Sequence, residues 1–320
     1  MPALAVRGQA TPGAFAPASV LRPAALTALL CAISLAATSP APLQVGPRVE
    51  LLDSAALAAP RLVESSGVAP SRLVPGVYWT HNDSGDRPFL YATDPTGNDL
   101  GRVRVIGGNA RDWEDLAAAP CFVAPGRCLY VADIGDNARK RPYVVLYRVP
   151  EPIPPSGSAD TLRSVAVLDS IVLRYPGRPH DAEALAITSW GEILLVTKDR
   201  FRLPVIFRAR ANGSAAQTLD SIAVLPIRSS LLSGRLVTGA AVSPGDSLLV
   251  VRTYVSLHFL RLSRSAPPAL LGGGRGVAIP FVEAQGEAVA FESADRLVLT
   301  SEQGTSARGS ICRLRLTAAR

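Results

Sequence analysis

The sequence has few charged residues and almost no lysine. Charged side chains make up 18% of the 320 residues and hydrophobic ones 48%. A chain of this composition is expected to fold around a buried core and not to be disordered. The net charge of +7 comes almost entirely from arginine, since Lys140 and Lys198 are the only lysines. These arginines are scattered singly, whereas a nucleic-acid surface needs a localised basic face. We therefore expect no nucleic-acid partner.

Histidine is also scarce, with three in the chain, and the common catalytic motifs are missing. There is no Gly-x-Ser-x-Gly nucleophile turn, no His-Glu-x-x-His zinc motif, no phosphate loop and no Cys-x-x-Cys pair. Their absence excludes the enzyme classes that those motifs define. The motifs leave open whether the protein is an enzyme.

Long hydrophobic runs are absent from the body of the chain, so we expect no stable membrane span in the mature protein. The N-terminal segment differs, because it has two arginines, no acid, and an apolar run from Ala24 to Ala37 that ends in small residues. This pattern is typical of a secretory signal peptide, and an uncleaved anchor is the alternative. We predict a signal peptide over residues 1–41, one domain over residues 42–320, and a secreted or periplasmic protein.

Export makes the few cysteines informative. Cys121 and Cys128 flank a Pro-Gly turn between two apolar segments. We predict a structural disulfide here instead of a metal pair, because no other cysteine lies at zinc-ligand spacing. Cys312 lies in an alternating strand and is expected to be a buried free thiol.

A repeat of about fifty residues is the strongest pattern in the chain. Each copy opens with a strand of small and apolar residues that usually starts with glutamate, and three more short strands follow in most copies. Four short strands at this period are the signature of a β-propeller. The five copies of the first strand are Glu64–Ala69, Glu114–Ala119, Glu183–Ile187, Thr238–Val242 and Glu287–Phe291.

The repeat predicts an all-β propeller of about five four-stranded blades. The last copy lacks a fourth strand before the chain ends, and the N-terminal segment Arg48–Leu52 is suited to supply it. Such a strand closes the ring and removes exposed sheet edges. The long second unit, Arg139 to Pro179, has room for a divergent sixth blade, so six blades is the alternative.

Propeller geometry predicts where polar residues meet. The first strand of each blade starts, and the second ends, at the same mouth of the central channel. The predicted metal ligands there are Asp112, Glu114, Asp133, Asp136, Asp181 and Glu183. The predicted ligand-binding residues are Lys198, Arg252, His81, Asn82, Glu64 and Glu287. The catalytic candidates are Glu114, Glu183, Asp133 and His81, and Asp83 and Glu302 are also expected at this mouth.

Several carboxylates around one opening repel one another and need raised pKa values, neighbouring cations or a bound divalent ion. Oxygen-only ligands suit calcium better than zinc, so Ca²⁺ is the expected cofactor, and we expect no other. Lys198 and Arg252 are expected to hold a small anionic ligand. A purely structural role for the glutamates, bonding the backbone of the next blade, is the alternative.

Three motifs carry a family resemblance: THNDSGD at Thr80–Asp86, DWEDLA at Asp112–Ala117 and HDAEAL at His180–Leu185. With them the chain resembles exported bacterial propellers of the esterase-like phytase group, over about Glu64 to Leu316. The resemblance implies calcium-dependent hydrolysis of phosphate esters by clustered acids. By motif position, these acids are Glu64, Glu114, Glu183 and Glu287, and Thr238 departs from the pattern.

Three functions follow from these features. The first is a metal-dependent phosphoester or ester hydrolase. The second is a non-catalytic propeller that captures a small anionic ligand or a protein at the same mouth. The third is a scaffold of the cell envelope, with an envelope protein as partner and purely structural glutamates.

Overall fold

The structure is a computed structural model that describes residues 46–155, 162–213, 215–281 and 283–318. The predicted signal peptide lies outside these residues. In the part that the structure describes, the regular elements are strands, with two 3₁₀ turns at Leu232–Gly234 and Gly272–Gly274. No helix in these ranges is long and apolar enough to cross a membrane.

The strands, numbered in chain order, form five sheets that are the blades of a propeller. Blade 1 contains β2 (Ser65–Pro70), β3 (Tyr78–Asn82), β4 (Phe89–Thr93), β5 (Asp99–Ile106) and β9 (Leu162–Ala166). Blade 2 contains β6 (Trp113–Pro120), β7 (Arg127–Asp133), β8 (Val144–Pro150), β10 (Asp169–Arg174) and β14 (Ala216–Thr218). Blade 3 contains β11 (Ala182–Ile187), β12 (Glu192–Thr197), β13 (Val205–Arg210) and β15 (Asp220–Val224).

The remaining two blades complete the ring. Blade 4 contains β16 (Val237–Val242), β17 (Leu248–Thr253), β18 (Ser256–Arg261), β19 (Ala269–Leu270) and β20 (Val277–Ala278). Blade 5 contains β21 (Gln285–Ser293), β22 (Arg296–Glu302), β23 (Ser310–Thr317) and β1 (Arg48–Ala56). The innermost strands β2, β6, β11, β16 and β21 each lie against the next one, and β21 returns to β2. The predicted five-bladed propeller is confirmed.

The N-terminal strand closes the ring as predicted. Strand β1 pairs antiparallel with β23 over its whole length, from Arg48 opposite Thr317 to Ala56 opposite Ser310. The outer strand of the last blade therefore comes from the start of the described chain. This pairing covers the edge that β23 would otherwise expose.

The long second unit contains an exchanged strand, and the alternative of a sixth blade is wrong. Strand β9 leaves blade 2 and pairs parallel with β5, the outer strand of blade 1. In the same way β14 leaves blade 3 and pairs parallel with β10 of blade 2. Each exchange covers an outer edge with backbone from the following blade. The fourth strand of blade 4 is reduced to the short pieces β19 and β20, because proline and glycine interrupt this stretch.

Apolar side chains fill the spaces between blades. Between blades 1 and 2, for example, Trp79, Leu90 and Leu129 are fully buried. Cys121 and Cys128 form the predicted disulfide at the turn between β6 and β7, with their Cα atoms 4.9 Å apart. Cys312 is a buried free thiol, also as predicted.

Candidate functional site

Every innermost strand carries a β-bulge near its start, where an additional residue interrupts the pairing with the second strand. A bulge bends the strand and redirects its side chain. In blades 2, 3 and 5 the bulge contains a glutamate: Glu114, Glu183 or Glu287. In blades 1 and 4 the bulge residue is Ser66 or Thr238.

The two hydroxyl residues join one blade to the next. Ser66 Oγ donates to the carbonyl oxygen of Glu114 at 2.7 Å, and Thr238 Oγ1 donates to that of Glu287 at 2.8 Å. Ser66 is therefore the structural counterpart of the repeated glutamates in blade 1. Glu64 lies two residues earlier, outside β2, and its side chain is exposed.

Three buried glutamates line the mouth of the channel. Glu114, Glu183 and Glu287 are only 2%, 4% and 3% exposed. Burial raises the pKa of Glu183 to about 7, although Lys198 opposes this shift. Burial and the neighbouring Glu183 raise the pKa of Glu114 well above its ordinary value, and the two carboxyl groups are hydrogen-bonded to each other. Burial and mutual repulsion therefore both favour the neutral forms of this pair.

Lys198 lies between two of these glutamates. Its Nζ is 3.1 Å from Glu183 Oε1, and it also lies 5.2 Å from the centre of the Tyr254 ring. Burial opposes the charge on Lys198, but Glu183 and Glu287 outweigh burial and raise its pKa. Lys198 is therefore a permanent cation at the mouth, with 18% of its side chain exposed.

Glu114 also belongs to a compact cluster of three carboxylates. One oxygen from each of Asp83, Asp112 and Glu114 lies within 4.8 Å of the other two. Burial and the charges of Asp83 and Asp181 raise the pKa of Asp112 to about 6. The cluster is sterically possible because of Gly135, where a Cβ atom would overlap Glu114 Oε1 and Asp112 Oδ2.

The chemistry of this cluster fits a hard divalent cation. Three oxygen atoms and no nitrogen or sulfur are a donor set for calcium or magnesium and not for zinc. Asp112 and Glu114 were predicted as metal ligands. Asp83 was expected at the mouth but was not among the predicted ligands.

The other predicted acids next to the cluster already have internal partners. Asp133 Oδ1 lies 2.8 Å from Arg141 Nη1. The carboxylate of Asp136 accepts the backbone N–H groups of Lys140 and Arg141, and the Asp136 N–H donates to Asp181 Oδ1 at 2.8 Å. These contacts hold the loop between β7 and β8 beside the mouth.

His81 and Asn82 are buried at the end of β3. Burial lowers the pKa of His81, its Nδ1 is 2.8 Å from the Asn82 carbonyl oxygen, and its ring packs edge-on against Trp113. Asn82 Oδ1 accepts the N–H of Glu64, and its Nδ2 donates to the carbonyl oxygen of Arg61. Both side chains support the mouth by fixing the chain around it.

Arg252 differs from Lys198 in its hydrogen-bond partners and in its exposure. Its guanidinium is fully buried and donates to the carbonyl oxygens of Ala288 and Thr300, which joins blade 4 to blade 5. Its charge is paired with Glu283. Of the two predicted anion-binding cations, only Lys198 therefore reaches the open mouth.

Asp115 is a central residue to which the sequence analysis assigned no role. It is fully buried, and its Oδ1 accepts the N–H of Leu116. Its Oδ2 accepts the N–H groups of Leu185 at 2.8 Å and Ala240 at 3.3 Å, so one carboxyl group joins the innermost strands of blades 2, 3 and 4. The available signal was an aspartate after Glu114 where the glutamates of blades 3 and 5 are followed by alanine.

Comparison with known proteins identifies no family. No family model matches the chain, and no curated protein matches it. Among solved structures, the PQQ-bound form of an aldose sugar dehydrogenase from Streptomyces coelicolor is 13% identical, with a TM-score of 0.48, and the match covers 85% of this chain and 98% of that one. XC5397 from Xanthomonas campestris, a gluconolactonase, is 15% identical with a TM-score of 0.48, covering 88% and 99%. We draw no functional conclusion from these distant similarities.

Proposed function

We propose that this propeller binds a divalent cation, Ca²⁺, through Asp83, Asp112 and Glu114 at the mouth of its channel. The observation that carries the proposal is the approach of three carboxylate oxygens to within 4.8 Å of one another. They come from the end of β3 in blade 1 and the start of β6 in blade 2, so only the assembled ring brings them together.

The electrostatics of the mouth support a cation. Burial raises the pKa of Asp83, and burial together with neighbouring acids raises those of Asp112 and Glu302, the last to about 7. Lys198 offsets part of this negative charge through Glu183 and Glu287. A divalent ion would offset the part that remains on the other side of the mouth.

The same site is suited to a small anionic ligand. Calcium takes six to eight oxygen ligands, and the cluster supplies three residues, which leaves positions for water and for an anionic group. Lys198 lies at the same mouth with a fixed positive charge. The proposed ligand is therefore an anion held jointly by the cation and Lys198.

A hydrolase is the second candidate, favoured by the raised pKa values of the neighbouring carboxyl groups of Glu114 and Glu183. A carboxyl group with a raised pKa can donate or accept a proton near neutral pH. A bound divalent cation supplies Lewis acidity. The resemblance to the esterase-like phytase group supplies the substrate class, a phosphoester or ester. The disulfide supports export, because such bonds persist in oxidising compartments.

The test of cation binding is thermal unfolding of the purified protein, first with EDTA and then with Ca²⁺. At a hundredfold excess over Kd, a bound ligand stabilises by about 2.7 kcal/mol, or about 5–10 °C in Tm. The variant Asp83→Asn plus Asp112→Asn should lose this rise. The matched control is Asp220→Asn plus Asp295→Asn, which removes two exposed acids and should keep it.

Turnover separates the candidate functions. Calcium-dependent hydrolysis of p-nitrophenyl phosphate or p-nitrophenyl acetate, lost on Glu114→Gln plus Glu183→Gln, would support the hydrolase. Stabilisation by calcium without turnover would support a binding propeller. No effect of calcium on Tm would overturn the cation site and favour an envelope scaffold with structural glutamates.

A further inference from the structure

A groove at the outer strands of blade 1 is lined by four arginines and one acid. The arginines are Arg61, Arg87, Arg102 and Arg104, the acid is Asp86, and the groove has a volume of about 590 Å³. It shares no residue with the proposed cation site. A concentration of like charge around one concave surface is unfavourable unless an anion offsets it.

The strand geometry of blade 1 directs two of these arginines to one face. Arg102 and Arg104 are two residues apart on β5, so their side chains leave the same side of the sheet. They lie opposite Tyr91 and Phe89 of β4, respectively. The Arg102 guanidinium lies 4.5 Å from the centre of the Phe89 ring, a cation–π contact that orients it towards the groove.

Asp86 offsets only one of the four positive charges, and the hydrogen bonds that its carboxylate accepts come from neutral groups. Oδ2 accepts from Asn82 Nδ2 at 2.7 Å and from the Tyr91 hydroxyl at 2.9 Å, and Oδ1 accepts the backbone N–H of Arg87. Within the described ranges no salt bridge joins any of the four groove arginines to an acid.

Blade 3 provides an internal comparison. There Arg208 and Arg210 are also two residues apart on one strand, β13. Both lie near Glu192, at 3.6 and 3.7 Å, and Arg208 also lies 3.7 Å from Asp220. The same arrangement of arginines therefore forms salt bridges in blade 3 and none in the described part of blade 1.

We propose that the blade 1 groove binds a phosphate or sulfate group. The guanidinium of arginine matches the oxygens of such a group through two parallel hydrogen bonds, and several arginines can surround one dianion. The group can belong to a free oxyanion or to an anionic lipid headgroup. The proposal does not depend on the cation site.

The first test is calorimetric titration of the full protein with inorganic pyrophosphate in EDTA, which keeps divalent cations from contributing. The variant Arg102→Gln plus Arg104→Gln should weaken binding by about tenfold or more, since each charge-assisted contact is typically worth that factor. The control Arg208→Gln plus Arg210→Gln removes the same charge from blade 3 and should change affinity less than twofold. A second variant, Arg61→Gln plus Arg87→Gln, tests the groove from its loops if the strand variant does not fold.

The source of the group is tested by cosedimentation with vesicles of phosphatidylglycerol and, as a reference, phosphatidylcholine. Loss of phosphatidylglycerol binding in the Arg102 and Arg104 variant alone would assign the groove to a lipid headgroup. Pyrophosphate binding without vesicle binding would assign it to a free oxyanion. Equal weakening by the blade 1 and blade 3 variants, or no binding of either probe, would overturn the proposal.

Discussion

The two ends of the central channel are built from the same five strands but differ in chemistry. At the end where the strands begin, bulges carry Glu114, Glu183 and Glu287 beside Asp112 and Lys198. At the other end the same strands present mainly alanine, valine and leucine around a small cavity of about 40 Å³, which Arg72 also lines. The polar end is suited to bind a ligand, and the apolar end is suited to pack.

The connections at the two ends differ in the same way. At the apolar end, two of the turns use glycine in the left-handed region, at Gly191 and Gly245 with φ of +88° and +84°. At the polar end, the loop between β7 and β8 spans residues 134–143 and brings its own acids and arginines. The loop between β7 and β8 thus adds charged groups at the mouth, where a binding site on a rigid frame is expected.

Asp115 marks the boundary between the two ends, and its removal should have the largest effect. Asp115→Ala leaves the buried N–H groups of Leu185 and Ala240 without an acceptor, which should cost about 3 kcal/mol of unfolding free energy. Denaturant unfolding measures this loss. Asp115→Asn keeps an acceptor oxygen and should cost less. An Asp115→Ala variant as stable as the parent would show that this carboxyl group does not hold the blades together.

Removing the disulfide at the apolar end should have the next largest effect on stability. Cys121→Ser plus Cys128→Ser opens a short loop and should lower stability by about 2.5 kcal/mol in the chain-entropy model. Because the turn lies at the opposite end from the mouth, the rise of Tm with Ca²⁺ should be unchanged. A changed calcium response in this variant would show that the apolar end influences the cation site at the mouth.

The smallest expected effect is a dependence of stability on pH that comes from the polar end. Raised pKa values, about 6 for Asp112 and about 7 for Glu183, mean that the folded protein holds these protons more tightly than the unfolded chain. Their contribution is therefore present at low pH and lost as pH rises through about 6 to 7. Without divalent ions, the free energy of unfolding should fall between pH 5 and pH 8 by on the order of 1 kcal/mol after solvent screening, and Tm should fall with it.

A matched variant isolates the source of this pH dependence. Glu114→Gln removes one member of the coupled pair and should flatten the decline of Tm with pH. Calcium should flatten it as well in the parent protein, because the cation favours the ionised carboxylates. Stability that rises across the same interval in EDTA would contradict the proposed protonation of the mouth.

The sequence repeat predicted the five blades correctly, but it misaligned the first strand of blade 1. Five blades and the closure by β1 follow from local periodicity, because each short strand carries its own pattern. The glutamate of blade 1 was aligned by residue type, and the bulge places Ser66 where Glu64 was expected. A one-residue bulge leaves no unambiguous trace in a pattern of small residues.

The pairing of the exchanged strands and the partners of Arg252 could also not be predicted from the sequence. Strands β9 and β14 pair with the preceding blade, a contact set by the packing of neighbouring sheets and not by their own residues. Arg252 has the spacing of a mouth residue, but its acceptors belong to blade 5. Nothing within its own strand indicates them.

The order of residues along the chain was sufficient to define the repeat, the closing strand and the disulfide, since these depend on neighbours in sequence or on simple periodicity. Tertiary structure alone decided that Asp83 joins Asp112 and Glu114 and that Asp115 bridges three blades. It also decided that the blade 1 groove arginines form no salt bridge among the described residues. These features join side chains from distant segments, and their distances are set by how twisted sheets pack around an axis.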